Sequence, residues 1–174
     1  MSKNIKSYAI IRGIVRRCNM IQNINNYYMS LAYLEKEKST CVRRGVGAII
    51  VKDNHIIGRG FNHTVVGSKP CTIDTCIRLK NNIKSGTRQE YCVATHAEQA
   101  AIIDAYKNGY NLEGSSIYIT DSPCVICARL ICEFGIKEVF FKDSYPDELS
   151  FEILENAGIT VEKISDYKVK RRIK

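Results

Sequence analysis

The sequence predicts an α/β sandwich built on a mixed sheet of about five strands. Three observations lead there. A two-residue turn near position 53 joins two apolar segments as a hairpin. Beyond position 95, segments of strand length alternate with segments of helix length. A glycine follows each of those helical segments, where a helix commonly ends.

The elements follow in order. Residues 25–38 place Tyr28, Leu31, Ala32 and Leu34 among polar neighbours, which predicts an amphipathic helix. GVGAIIVK (45–52) is a strand, Asp53-Asn54 the turn, and residues 55–61 the return strand. Residues 62–93 are long and poor in apolar side chains. A loop of that length is uncommon in a compact domain unless it is functional or tied down. THAEQAAIIDAYKN (95–108) is a helix ended by Gly109, and SIYIT (116–120) a strand. SPCVICARLICEF (122–134) is a helix with Pro123 in its first turn, where proline is tolerated, and Gly135 closes it. Residues 137–141 are a strand, 146–156 a helix before Gly158, and 159–164 the last strand. The hairpin is antiparallel, and crossover helices make the later pairs parallel.

The 174 residues suit one domain at roughly 100–200 residues each. A 45% hydrophobic and 25% charged composition is that of a globular chain, not a disordered one. No apolar run reaches the ~18 residues of a membrane span. Arg12, Arg16 and Arg17 interrupt the short apolar patches near the start, so no secretory signal is expected. The net charge of +8 first suggests a nucleic-acid partner. It sits at the ends: residues 1–17 and 162–174 together carry +9 and the body −1. The expected organisation is a basic extension at 1–22, a single domain at 23–165 and a basic tail at 166–174. Basic tails attract polyanions without specificity, so neither a polynucleotide substrate nor a membrane partner is expected.

Eight cysteines without a secretory signal point to a reducing, cytoplasmic setting and to metal ligation. Two segments carry the chemistry, His96-Ala97-Glu98 and Pro123-Cys124-Val125-Ile126-Cys127, each at the first turn of a predicted helix. A helix N-terminus offers partial positive charge and free N–H groups, which favour the thiolates that zinc requires. His96, Cys124 and Cys127 are three ligands, and a catalytic zinc keeps its fourth position for water. Glu98, two residues beyond His96, is placed to move that water's proton. A lone CxxC is equally a redox pair or half of a structural zinc site. H-x-E followed by P-C-x-x-C is the signature of zinc-dependent nucleobase deaminases.

HAEQAAI (96–102), YITDSPCVICARLICEFGIKEVFF (118–141), STCVRRGVGAIIVKDNHIIGRGFN (39–62) and SGTRQEYCVATHAEQ (85–99) resemble the deoxycytidylate (dCMP) deaminase branch of the zinc-dependent cytidine deaminase superfamily. They are most similar to its late-competence-type bacterial members. The likeness runs from about Tyr28 to about Val161. It implies a three-layer α/β/α sandwich, a homo-oligomer of two to six subunits, and hydrolysis of dCMP to dUMP and ammonia in supply of thymidylate synthesis. It further implies regulation by dCTP and dTTP, with Mg2+ accompanying such an effector.

Residue by residue, the resemblance implies that His96, Cys124 and Cys127 hold the catalytic zinc. Glu98 protonates cytosine N3 and then the leaving amine. Asn62 bonds the sugar hydroxyl, or else is a turn residue closing the hairpin, and Ala97 contacts substrate. Arg43, Arg44 and Arg88 are candidate phosphate partners, because a guanidinium fork suits phosphate oxygens, or else each is a solvated surface arginine. Ala100 and His63 depart from the family, which usually has Asn and Gly there. His63 is then a phosphate contact or a surface histidine. Cys41, Cys71, Cys76 and Cys92 stand where relatives carry cysteines, which implies a second, structural zinc. The other reading is four reduced thiols. Cys18 and Cys132 are assigned to packing. With both zinc ions bound the body would carry about −3, further from a polynucleotide clamp.

Other functions remain at this point. One is deamination of dCTP or deoxycytidine. Another is a tRNA adenosine deaminase, though that family prefers Glu where Ser122 stands. A non-catalytic zinc regulator is the third, but Glu98 is retained.

Overall fold

The continuous apolar run of β1 (Gly47–Lys52), buried almost throughout, pairs with β2 (His55–Phe61) as a hairpin. Its turn residues Asp53 and Asn54 both have positive φ, 50° and 61°, the conformation of the tight turn that matches strand twist. β1 and β2 pair antiparallel, with a bulge between Ile50 and Val51. On its other side β1 pairs antiparallel with β5 (Ser116–Asp121). Parallel pairs then add β6 (Glu138–Asp143) and β7 (Thr160–Lys163). The five-stranded sheet is therefore mixed, in the order β2-β1-β5-β6-β7. The computed structural model describes residues 24–165; the basic extension, the tail and Cys18 lie outside the described residues.

Helices cover both faces. α1 (Ile24–Lys36) packs Tyr28, Met29 and Ala32 onto Ile49, Val51, Tyr118 and Phe140. Leu34, expected in that apolar stripe, is instead 62% exposed, and Met29 takes the buried place. The inward stripe runs 28, 29, 32 and 35, spacings that share one helical face, and residue 34 lies off it. Buried Glu35 ends that stripe against Lys38 at 2.7 Å and Arg59 at 3.6 Å. The opposite sheet face carries α3 (Ala97–Lys107), α4 (Val125–Glu133) and α5 (Glu148–Asn156). Their core includes fully buried Ile50, Ile117, Ile119, Ile131 and Leu154. Each such side chain contributes about 1.5–3 kcal/mol on leaving water.

α3 lies almost on the backbone of β2. A Cβ placed on Gly60 would run into the Ala97 carbonyl and the Ala101 amide, and one on Gly58 into the Ala101 carbonyl. Those glycines set the height of α3 over the sheet, and so the height of its first turn.

The long 62–93 segment is tied at both ends. β3 (His63–Thr64) pairs antiparallel with β4 (Ala94–Thr95), joining its beginning to its end. Inside it are a single turn, α2 (Ile77–Lys80), and a 3-10 turn at Gln89–Tyr91. α4 starts later than the sequence suggests: Cys124 is its N-cap, so Pro123 precedes the helix rather than occupying its first turn. The first amide of α4, Val125 N–H, donates to Asp147 Oδ2 at 2.9 Å.

Candidate metal centre and substrate cavity

β4 ends where α3 begins, and His96 is the N-cap of α3 with extended backbone, φ −74° and ψ 159°. Its amide donates to Gln99 Oε1 at 2.8 Å, which holds the turn closed. Cys124 occupies the matching place on α4, with φ −81° and ψ 168°, and Cys127 is one turn further on. Two helix starts thus bring three donors to one point. His96 Nδ1 lies 3.4 Å from each of the sulfurs of Cys124 and Cys127. All three donor atoms fall within 4.8 Å of one another, and no other such group occurs among the described residues. Zinc bonds of about 2.3 Å to sulfur and 2.0–2.1 Å to nitrogen, at the tetrahedral angle, separate S from N by about 3.6 Å. The His-Cys-Cys set fits that ion.

Its proton chemistry agrees. A hydrogen bond from Cys127 pulls the Cys124 thiol down to about 4 against the effect of burial, with His96 helping. The same bond, and burial, hold Cys127 well above its ordinary value. Burial works against a charged His96, but hydrogen bonds with Cys124 and Cys92 and the Glu98 carboxylate push it up to about 11. A bound cation would displace the protons that these donors hold. Glu98, 4% exposed, is pushed up to about 7 by burial; His96 opposes the shift and Cys124 adds to it.

Beside this group opens a cavity of about 280 Å3, lined by His96, Glu98 and Cys124 and by Asn62. Asn62 is 9% exposed and closes the hairpin as well. Its Oδ1 accepts from Val46 N–H at 2.8 Å and from Ser39 Oγ at 2.5 Å, and its Nδ2 donates to the Arg44 carbonyl at 2.8 Å. One Nδ2–H is left without a partner among the described residues, on a side chain that lines the cavity. Ala97 is fully buried in the core under Gly60, and neither it nor Ala100 lines the cavity.

The arginines divide. Arg43 and Arg44 line the cavity. Arg44 is paired with Asp121 and lies over the Tyr145 ring, 5.9 Å from its centre. Burial pushes the Asp121 carboxyl up, opposed by Arg44 and by Lys36 at 3.9 Å. Arg88 turns away, exposed, to Glu90 at 3.2 Å and the Tyr91 ring at 4.4 Å. Arg78, Gln89, Asp121 and Tyr145 line the cavity and were not among the residues expected from the sequence. Asp121 alone had a signal, as an acid placed directly after the apolar run SIYIT.

A second, smaller cavity of about 30 Å3 is lined by Cys41, Cys71, Cys76 and Cys92, together with His63. Cys71 hydrogen-bonds with Cys76, and burial pushes its thiol up, with Cys76 and Cys41 adding to the rise. The sulfurs surround this space without any three meeting within 4.8 Å. His63 Nδ1 is 2.7 Å from the Thr64 carbonyl. Cys132 packs half-buried against the main core, as expected.

Comparison with known proteins follows the same residues. The sequence profile of the cytidine and deoxycytidylate deaminase zinc-binding region matches residues 22–143. ComE operon protein 2 of Bacillus subtilis is 34% identical over 142 residues, which is 80% of this chain and 70% of that protein. The deoxycytidylate deaminase of Saccharomyces cerevisiae is also 34% identical over 142 residues, but the match spans only 45% of its length. The human deoxycytidylate deaminase is 35% identical over 143 residues, 79% of this chain and 77% of that enzyme. Among solved structures, the dCMP deaminase of cyanophage S-TIM5 in complex with dCMP and dUMP superposes with a TM-score of 0.68 at 30% identity, over 82% of this chain and 97% of that one.

Proposed function

The chain belongs to the cytidine and deoxycytidylate deaminase zinc-binding family, and from that premise we propose that it hydrolyses dCMP to dUMP and ammonia at the His96-Cys124-Cys127 centre. The observation that carries the reading is the meeting of these three donors, at tetrahedral spacing, with buried Glu98 on the wall of one cavity. Zinc held by His96, Cys124 and Cys127 supplies a water acidified enough to react near neutral pH.

The remaining work belongs to the chain. Glu98, with its affinity for protons raised by burial, takes a proton from the attacking water. It passes that proton to cytosine N3, then takes the remaining proton from the oxygen now on C4 and gives it to the departing amine. Water gives its oxygen to C4, and ammonia leaves. The free Nδ2–H of Asn62 bonds the sugar hydroxyl, and the bonds from Val46 and Ser39 hold the amide still. Ala97 sits between His96 and Glu98 and keeps their helix turn seated on β2.

The reading includes a second zinc bound by Cys41, Cys71, Cys76 and Cys92. Their common cavity supports it, and the ion would draw the four sulfurs together. It also includes a cytoplasmic homo-oligomer regulated by dCTP and dTTP, with Mg2+ carried by the effector. Ile103, Tyr106 and Tyr110, exposed in a row along α3 and just beyond it, supply apolar surface for subunit contact.

The test is incubation of zinc-loaded protein with dCMP. Formation of dUMP and ammonia in equal amounts is expected. Protein that keeps its zinc and forms no dUMP would overturn the proposal.

A further inference from the structure

Arg78 is an anomaly of charge. It is 6% exposed, deep in a segment with little apolar content. Its guanidinium donates only to neutral groups: Nη1 to the Arg88 carbonyl at 3.0 Å, and Nη2 to the Lys84 and Thr87 carbonyls at 3.0 and 2.8 Å. Among the described residues no carboxylate lies within 4.0 Å of it. Two acidic groups feel its charge: Glu90, which is exposed and pairs with Arg88, and the Cys92 thiol, which is pulled down chiefly by its hydrogen bond with His96. A buried charge is normally paired, because it has given up its hydration. A guanidinium has five N–H donors, so two of Arg78's remain without a protein partner among the described residues.

Arg78 also lines the substrate cavity, and there it has company. Arg43 lines the same cavity, donates to the Ile83 carbonyl at 3.0 Å, and likewise has no carboxylate within 4.0 Å among the described residues. Arg44 on this wall is neutralised by Asp121. Arg78 and Arg43 are the guanidinium groups on it with no carboxylate partner among the described residues, and a phosphate monoester near neutral pH carries about −1.5 to −2. Ser85 and Gln89, on the segment that Arg78 ties down, stand on the same wall.

We infer that Arg78, with Arg43 beside it, is the anchor for the 5′-phosphate of the substrate and makes that phosphate a requirement for productive binding. The three carbonyl bonds orient the fork, and the two free N–H groups and the unpaired charge meet the phosphate oxygens. The cavity then selects nucleoside 5′-monophosphates over nucleosides. This rests on the deaminase reading for the identity of the base, but the anion site has its own evidence.

The experiment compares wild type with Arg78→Gln and Arg43→Gln, each checked for zinc content and Tm. Turnover is measured on dCMP and on deoxycytidine. Arg78→Gln is expected to lower kcat/KM for dCMP by about 10- to 100-fold, mostly through KM, as fits loss of a charge-assisted hydrogen bond. Its kcat/KM for deoxycytidine should stay within about twofold of wild type, because no phosphate is there to lose. Arg43→Gln should show the same selectivity with a smaller loss. Equal losses on both substrates would overturn the inference and make Arg78 a loop-positioning residue only. So would an unchanged kcat/KM for dCMP. Should Arg78→Gln fail to fold, the Arg43→Gln comparison decides in the same way. A binding arm separates this inference from the deaminase reading. Zinc-loaded wild type should be stabilised by dUMP more than by deoxyuridine, and the difference should vanish in Arg78→Gln. If no cytosine compound is turned over but that difference persists, the deaminase reading fails and the phosphate anchor stands.

Discussion

Gly60→Ala tests the link between packing and chemistry. The new Cβ would meet the Ala97 carbonyl and the Ala101 amide of α3. Both are backbone atoms, so neither can rotate aside. Ordinary contact begins near 3.4 Å, and restoring it requires α3 to recede by about 1 Å if the sheet holds still. Overpacking of this kind costs about 1–3 kcal/mol. At about 2–4 °C per kcal/mol for a chain of this size, the expected fall in Tm is about 4–8 °C for a 2 kcal/mol loss. The larger consequence is local. His96 caps α3 and Glu98 is in its first turn, whereas Cys124 and Cys127 belong to α4. Retreat of α3 alone lengthens the 3.4 Å His96–sulfur spacings, and metal sites tolerate only about 0.2 Å. Misplacement of a reacting group by about 1 Å costs about 100-fold in rate. The assay is Tm by circular dichroism, zinc content, and kcat/KM on dCMP. A variant with wild-type zinc content and activity within twofold would refute the claim that Gly60 sets the position of the site.

Three more outcomes are expected. Glu98→Gln should retain zinc and lose about 10²- to 10⁴-fold in kcat, the usual contribution of a positioned acid–base group; near-normal turnover would remove the proton role. Asn62→Ala should lower stability by about 3 kcal/mol, since it deletes three hydrogen bonds of about 1 kcal/mol each, and thermal unfolding without substrate would show it. Metal analysis of fully loaded protein should give two zinc per chain and of Cys71→Ser about one, with the catalytic zinc kept; a single zinc in the unaltered chain would eliminate the four-cysteine site.

The strands and helices were legible because their causes are local. Their succession along the chain follows from periodicity and turn residues, and the Asp53-Asn54 turn needs only its own two residues, whereas their order across the sheet is set by tertiary pairing. The two helix starts that carry His96 and Cys124 were legible for the same reason, although α4 begins three residues later than its apolar pattern suggests. At Leu34 the apolar pattern of α1 does not give its inward face, because burial there depends on which residues meet β1 and β5. The long 62–93 segment looked open in sequence. Its closure by β3 and β4 pairs residues about thirty positions apart, a distance over which local pattern is silent.

The metal donors and their spacing are legible in the sequence. H-x-E and P-C-x-x-C each lie within one helical turn, so backbone geometry dictates how each presents its side chains. Which arginines face the cavity depends on the packed fold. Arg88 resembled a phosphate partner and turns outward to Tyr91, Arg44 is taken up by Asp121, and Arg78 is drawn inward by three carbonyls. The physical reason is that a guanidinium is long and flexible. Its position depends on the carboxylates, rings and carbonyls that the fold brings within reach, and those come from distant parts of the chain.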